Sequence, residues 1–215
     1  MGDQPPRPPI PEQISSSGVI AIARGLGPEA LPSVADALAE AGVRAVEVTL
    51  NSSGAFAAIE ALARDLGVRL LVGAGTVLTV DSAARAVDAG ARFLVMPHVD
   101  VDLVRWAAMR GIAAFPGAFS PTEILRGWSA GATAVKLFPA SAVGPTFVRD
   151  LRGPFPQIPL IPTGGVTVES APLFIRAGAV AVGVGSWLTG PDEAAVVRAR
   201  ARSLIEAVRL ALEER

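Results

Sequence analysis

The sequence predicts an α/β fold of the (β/α)8, or TIM-barrel, class, and three observations carry that prediction. Seven glycines recur at an even spacing: Gly42, Gly67, Gly90, Gly111, Gly131, Gly153 and Gly178 are 25, 23, 21, 20, 22 and 25 residues apart. Each closes an alanine-rich amphipathic segment, at the place where a left-handed residue ends a helix. After each glycine comes an apolar run of four to six residues, as expected of parallel strands covered on both faces. Finally, no Gly-x-Gly-x-x-Gly turn opens any helix, so the alternative of a doubly wound open sheet has the weaker claim.

The elements follow in order. Residues 1–11 are proline-rich and polar, with no apolar core of a secretory signal, and read as a disordered leader. Residues 12–215 read as one barrel domain. Glu12 to Ser17 suits a short helix, and Val19–Ala23 the first strand. The remaining strands are expected at Ala45–Thr49, Arg69–Gly73, Arg92–Met96, Ile112–Phe115, Thr133–Phe138, Ile158–Ile161 and Ala179–Val184. Between them, Phe56, Ile59, Leu62 and Leu66 are spaced along one helix face. Ser120-Pro121-Thr122-Glu123 is a capping box with proline at the first helical position.

Composition narrows the function. Hydrophobic residues make up 51% and charged residues 18%, with a mean hydropathy of +0.46. That apolar balance predicts surface buried against further subunits. No apolar run reaches the roughly 18 residues of a bilayer span, so no membrane partner is expected. A net charge of −1 with scattered arginines offers no nucleic-acid patch. The chain lacks cysteine and has one histidine, His98. This removes disulfides, thiolate nucleophiles and zinc sites rich in Cys or His, while carboxylate-held magnesium stays open. The absence of cysteine fits a cytoplasmic protein. No metal and no cofactor is expected.

Reactive groups in such barrels stand at the C-terminal ends of strands. Lys136, the only lysine among 19 basic residues, lies inside the apolar run of the sixth expected strand. Burial lowers a lysine's pKa and leaves a nucleophilic amine; a partly exposed strand-end lysine is the plainer alternative. Glu47 is a second charge in an apolar strand, the second. Alternate strands share a barrel layer, so Glu47 and Lys136 can meet, either as a structural ion pair or as acid/base and nucleophile. Arg24, at the mouth of the first strand, suits a carboxylate clamp or a rim salt bridge. Gly164-Gly165 after the seventh strand and Gly185-Ser186 after the eighth suit a phosphate. Met96-Pro97-His98 ends the fourth strand; His98 has no evident partner.

Five stretches resemble the bacterial aldolases of 2-keto-3-deoxy-6-phospho sugar acids. They are Val46-Glu47-Val48-Thr49-Leu50, Val72-Gly73-Ala74-Gly75-Thr76-Val77, Val135-Lys136-Leu137-Phe138-Pro139-Ala140, Pro162-Thr163-Gly164-Gly165-Val166 and Gly185-Ser186-Trp187. The resemblance spans nearly the whole chain from Gly18. It implies a class I aldolase acting on a phosphorylated keto acid, and a homotrimer of TIM barrels. Lys136 would be its Schiff-base lysine and Glu47 its acid/base. Arg24, Asn51, Thr76, Pro97, Phe138 and Thr163 would contact the substrate, and Gly164, Gly165, Gly185 and Ser186 its phosphate. Phosphogluconate-type members often carry arginine where this chain has Asn51. Arg24-Gly25 together with Leu50-Asn51-Ser52 looks more like the phosphogalactonate type, and the two C4 epimers remain open. A phosphosugar isomerase or epimerase on the same barrel, or a non-catalytic phosphometabolite-binding barrel, are the rival readings; Lys136→Arg would spare activity only in the first of these.

Overall fold

The computed structural model describes residues 6–190 and 193–215. Helix α1 (Glu12–Ser17) leads into strand β1 (Val19–Ala23), followed by α2 (Leu31–Glu40), β2 (Ala45–Thr49), α3 (Ala55–Leu66) and β3 (Leu71–Gly75). Next come α4 (Val80–Asp88), β4 (Phe93–Val95), α5 (Val101–Ala108), β5 (Ala113–Phe115), β6 (Gly117–Ala118) and α6 (Pro121–Ser129). The chain then forms β7 (Val135–Leu137), a 3-10 turn at Ala140–Ala142, α7 (Gly144–Leu151), β8 (Leu160–Pro162), α8 (Ala171–Arg176), β9 (Val182–Val184), α9 (Ser186–Thr189) and α10 (Ala194–Glu213).

All strand pairs are parallel. They form a six-stranded sheet in the order β5-β4-β3-β2-β1-β9 and a three-stranded sheet in the order β6-β7-β8. The two sheets are continuous in chain at one side, where only Pro116 separates β5 from β6. At the other side Thr163 bridges Gly183, and the Val180 N–H donates to the Leu160 carbonyl. The parallel sheet is thus curled, with helices outside it.

Period-two alternation sorts the strand residues onto two faces. Ile20, Ala45, Phe93, Val95, Phe115, Ala134 and Ile161 form an inner cluster, joined by Ile14 of α1. The intervening residues, such as Val19, Ala21, Val46, Val48, Val135 and Leu137, pack outward against the helices. Glu47 and Lys136 share the parity of Ala45 and Ala134, so both point inward. The capping box holds as expected: the Ser120 hydroxyl accepts from the Glu123 N–H, and the Glu123 carboxylate accepts from the Ser120 N–H.

Several expectations need correction. The sixth, seventh and eighth expected strands begin at Val135, Leu160 and Val182, two to three residues later than the apolar runs imply. The third strand starts at Leu71 and runs to Gly75, two residues later than the apolar pattern implies. Gly67 does not turn left-handed; its φ is −58°. The Arg69 and Leu70 N–H groups both donate to the Leu66 carbonyl, so turns continue past the helix and delay the strand. Gly153 also lacks positive φ, whereas Gly42, Gly90, Gly111, Gly131 and Gly178 have it. The leader is not free over the residues described. The Arg7 guanidinium stacks 3.2 Å from the Trp128 ring centroid and donates to the Trp128 and Ala132 carbonyls. Residues 1–5 lie outside the described part.

Candidate functional site

Glu47 and Lys136 come together inside the curl. Glu47 is 2% exposed and Lys136 6%. Both line one small cavity of about 10 Å³ with Ile20, Val95, Phe115 and Ile161, close to the least space that holds a water. They do not form a contact ion pair. Glu47 Oε1 is buried and has no hydrogen-bond partner. A buried ion without close partners costs several kcal/mol, so burial favours the neutral form of each group. Burial raises the Glu47 carboxyl above its ordinary range, against the opposing pull of Lys136 and Arg24. Burial likewise lowers the Lys136 ammonium; Glu47 opposes this and Arg24 adds to it. Burial thus pushes the pair toward the amine and the carboxylic acid, the forms that nucleophilic addition to a ketone uses, while their mutual attraction pulls the other way.

Above this pair opens a cleft of about 250 Å³ at the C-terminal ends of β7, β8, β9 and β1. Lys136 forms its floor, and Arg24, Phe138, Thr163, Gly164, Gly165, Gly185 and Ser186 line its walls. Lys136 Nζ lies 5.0 Å from the Phe138 ring centroid. Thr163 is held by donating to the Ile161 carbonyl. Gly164 and Gly165 have φ of 92° and 72°, a conformation that other residues adopt only with strain. A side chain at Gly164 would also press on Phe138, and one at Gly165 on Ser141. The Gly165 N–H makes no backbone hydrogen bond among the described residues, which leaves a donor for an anion.

Arg24 is exposed and forms no ion pair among the described residues. The loop that carries it is nonetheless tied down. Ser52 Oγ accepts from the Gly25 N–H at 3.0 Å and lies 2.8 Å from Thr49 Oγ1, which reaches back to the Ala23 carbonyl. Three predicted contacts stand elsewhere. Asn51 is exposed in the turn after β2, Thr76 is half-buried after β3, and Pro97 is half-buried after β4, packed against Gly117. All three lie at the same end of the sheet but over the β2–β4 side, away from the cleft walls. His98 is exposed next to Pro97. Sequence reasoning missed Ile22, Thr167, Trp187 and Ser52. Ile22 had a readable signal, because it shares the inward parity of Ile20 two residues before the strand mouth. Ser52 had none, since its role depends on the packing of two loops.

With this geometry in view, the comparisons with known proteins converge. A family model described as KDPG and KHG aldolase matches residues 11–203. A protein of Rhizobium meliloti (strain 1021), named a probable 2-dehydro-3-deoxy-6-phosphogalactonate aldolase, is 38% identical over 95% of both chains. A solved structure titled "Native KDPGal structure" superposes with a TM-score of 0.87 at 32% identity, covering 91% of this chain and 96% of that one. Another, of a KDPG aldolase from Legionella pneumophila "with pyruvate captured at low pH as a covalent carbinolamine intermediate", gives a TM-score of 0.78 at 30% identity, covering 93% and 96%.

Proposed function

The chain belongs to the KDPG and KHG aldolase family, and from that premise we propose that it is a class I aldolase, a lyase that cleaves a 2-keto-3-deoxy-6-phospho sugar acid of the phosphogluconate or phosphogalactonate type. The products are pyruvate and D-glyceraldehyde 3-phosphate. The observation that carries the proposal is the placement of the chain's one lysine, buried at the floor of the cleft beside an equally buried carboxyl.

In this reading neutral Lys136 attacks the C2 ketone, forming a C–N bond while the carbonyl oxygen takes a proton from Glu47. A proton then passes from the nitrogen to that oxygen, relayed by Glu47, and its loss as water gives the protonated imine. Glu47, now a carboxylate, accepts the C4 hydroxyl proton, directly or through a water in the cavity. The C3–C4 bond breaks, its electron pair moves into the protonated imine, and the aldehyde leaves. The resulting enamine is protonated at C3, and water hydrolyses the imine to free Lys136 and pyruvate. Arg24 holds a carboxylate end, Thr163 and Phe138 shape the pocket, and Gly164, Gly165, Gly185 and Ser186 hold the phosphate. Asn51, Thr76 and Pro97 act at the rim, reached by the substrate from the β2–β4 side. The two sheets act as one closed eight-stranded barrel formed by residues 12–215, and the working enzyme is a homotrimer. The captured carbinolamine of the Legionella relative supports covalent attachment of pyruvate.

Borohydride reduction in the presence of pyruvate tests the chemistry. A single pyruvyl adduct on the Lys136 peptide is the expected result, with cleavage lost in Lys136→Arg. An unmodified lysine in protein that still turns over substrate would overturn the imine.

A further inference from the structure

Gly75 ends β3 opposite Thr49 of β2, and it is buried. Its φ is not in the left-handed region, so its backbone would accept any residue. What forbids a side chain there is the carboxylate of Glu47. A Cβ on Gly75 would fall on Glu47 Oε1 and lie 2.6 Å from Glu47 Cγ, well inside the separations that packed carbons keep. No other atom stands among the three nearest to that point. The neighbouring Gly73 is different: a Cβ there would meet the Phe93 ring, part of the inner apolar cluster. Gly73 therefore leaves space for packing, and Gly75 for a functional group.

The consequence follows from how the two obstacles differ. Phe93 is wedged against Phe115, with ring centroids 5.7 Å apart, and yielding there disturbs the core. The Glu47 carboxyl is the free end of a flexible side chain with an unpartnered oxygen, beside the small cavity it shares with Lys136. To yield, the Glu47 side chain must rotate from Cγ outward, since Cγ itself would lie 2.6 Å from the added Cβ, and that rotation carries the carboxyl away from its place. A methyl at position 75 would thus leave the fold standing and displace the acid/base. We propose that Gly75 is a positioning residue for the aldolase reaction: its missing side chain is the slot that holds the Glu47 carboxyl in reach of the bond-making atoms. The proposal rests on Glu47 being the acid/base.

A double-mutant cycle between Gly75→Ala and Glu47→Gln tests it, read in kcat, KM and thermal unfolding. Gly75→Ala is expected to lower kcat by 100-fold or more, with KM changed less than about threefold. On the Glu47→Gln background the same substitution should cost no further kcat, since the group it acts through is already lost. Gly73→Ala, as the comparator, should lower thermal stability with its effect on kcat adding fully to that of Glu47→Gln. Full activity of Gly75→Ala, or a loss that adds to that of Glu47→Gln, overturns the proposal. If Gly75→Ala does not fold, Gly75→Ala with Glu47→Ala should fold again, because the obstructing carboxyl is gone; failure of that pair to fold also overturns it. An active Glu47→Gln protein would instead refute the acid/base role itself, a separate result.

Discussion

The central residue, Lys136, is governed by three forces of known sign. Burial is the largest and favours the neutral amine; Glu47 favours the ammonium; Arg24 disfavours it. The group therefore titrates below the ordinary lysine value of 10.5, and its reactive fraction is full above its own pKa and falls away as pH drops through it. The rate of borohydride trapping with pyruvate should accordingly rise with pH and level off at a midpoint below 10.5. Substitutions move the midpoint predictably. Arg24→Met removes a cation that disfavours the ammonium, so the midpoint should rise; Glu47→Gln removes the opposing anion, so it should fall. A parent midpoint at or above 10.5, or shifts of the reverse sign, would contradict this electrostatic account. Arg24→Met should also raise KM about tenfold, the equivalent of about 1.4 kcal/mol for a lost charge-assisted contact.

At the scale of elements, the cleft depends on how the β1 and β2 mouths are joined. Ser52 is the joint: it accepts from Gly25 and pairs with Thr49, which holds the end of β1. Ser52→Ala removes a net hydrogen-bond contribution of about 1 kcal/mol at a partly exposed site. The expected outcome is a KM rise of about three- to tenfold as the Arg24 loop loosens, with kcat within a factor of two. Steady-state kinetics check this, and an unchanged KM would mean that Arg24 is placed without the joint. This element also marks a limit of sequence reading. The strands themselves were legible, because burial on both faces writes an apolar run directly into the chain. Lys136 and Glu47 were legible because a charge inside such a run has few physical excuses. Ser52 was not, and neither was the late start of β3. There Gly67 continues the turn instead of reversing it, and only the hydrogen bonds of Arg69 and Leu70 to Leu66 reveal the delay. That two-residue shift is what puts Gly75 inside the strand and against Glu47. The eight expected cleft residues that do line it came from strand ends on one side of the sheet. Asn51, Thr76 and Pro97 were assigned with them because a linear pattern places all strand mouths at one end without saying which share a cleft.

For the whole molecule, the balance of surface and core bears on assembly. The chain is 51% hydrophobic, and its described surface still exposes large apolar side chains, among them Val68 (104% exposed), Met109 (68%), Leu78 (52%) and Phe119 (45%). Among the described residues no helix is long and apolar enough to cross a membrane, so this surface is not explained by a helical span. Single exposed apolar residues are ordinary, but a chain this poor in charge has little polar surface to spare, and association of copies through such faces removes the exposed area from water at about 25 cal/mol per Å². Closed cyclic symmetry satisfies all copies without leaving an open face. The homotrimer proposed above from the family resemblance then has a direct check: sedimentation equilibrium at micromolar concentration should report a species of three times the 22.0 kDa chain mass. Thermal unfolding should shift upward with protein concentration, because subunits that bind only the folded state stabilise it by mass action. A species of 22.0 kDa with a concentration-independent midpoint would refute the trimer and leave the apolar surface to another partner.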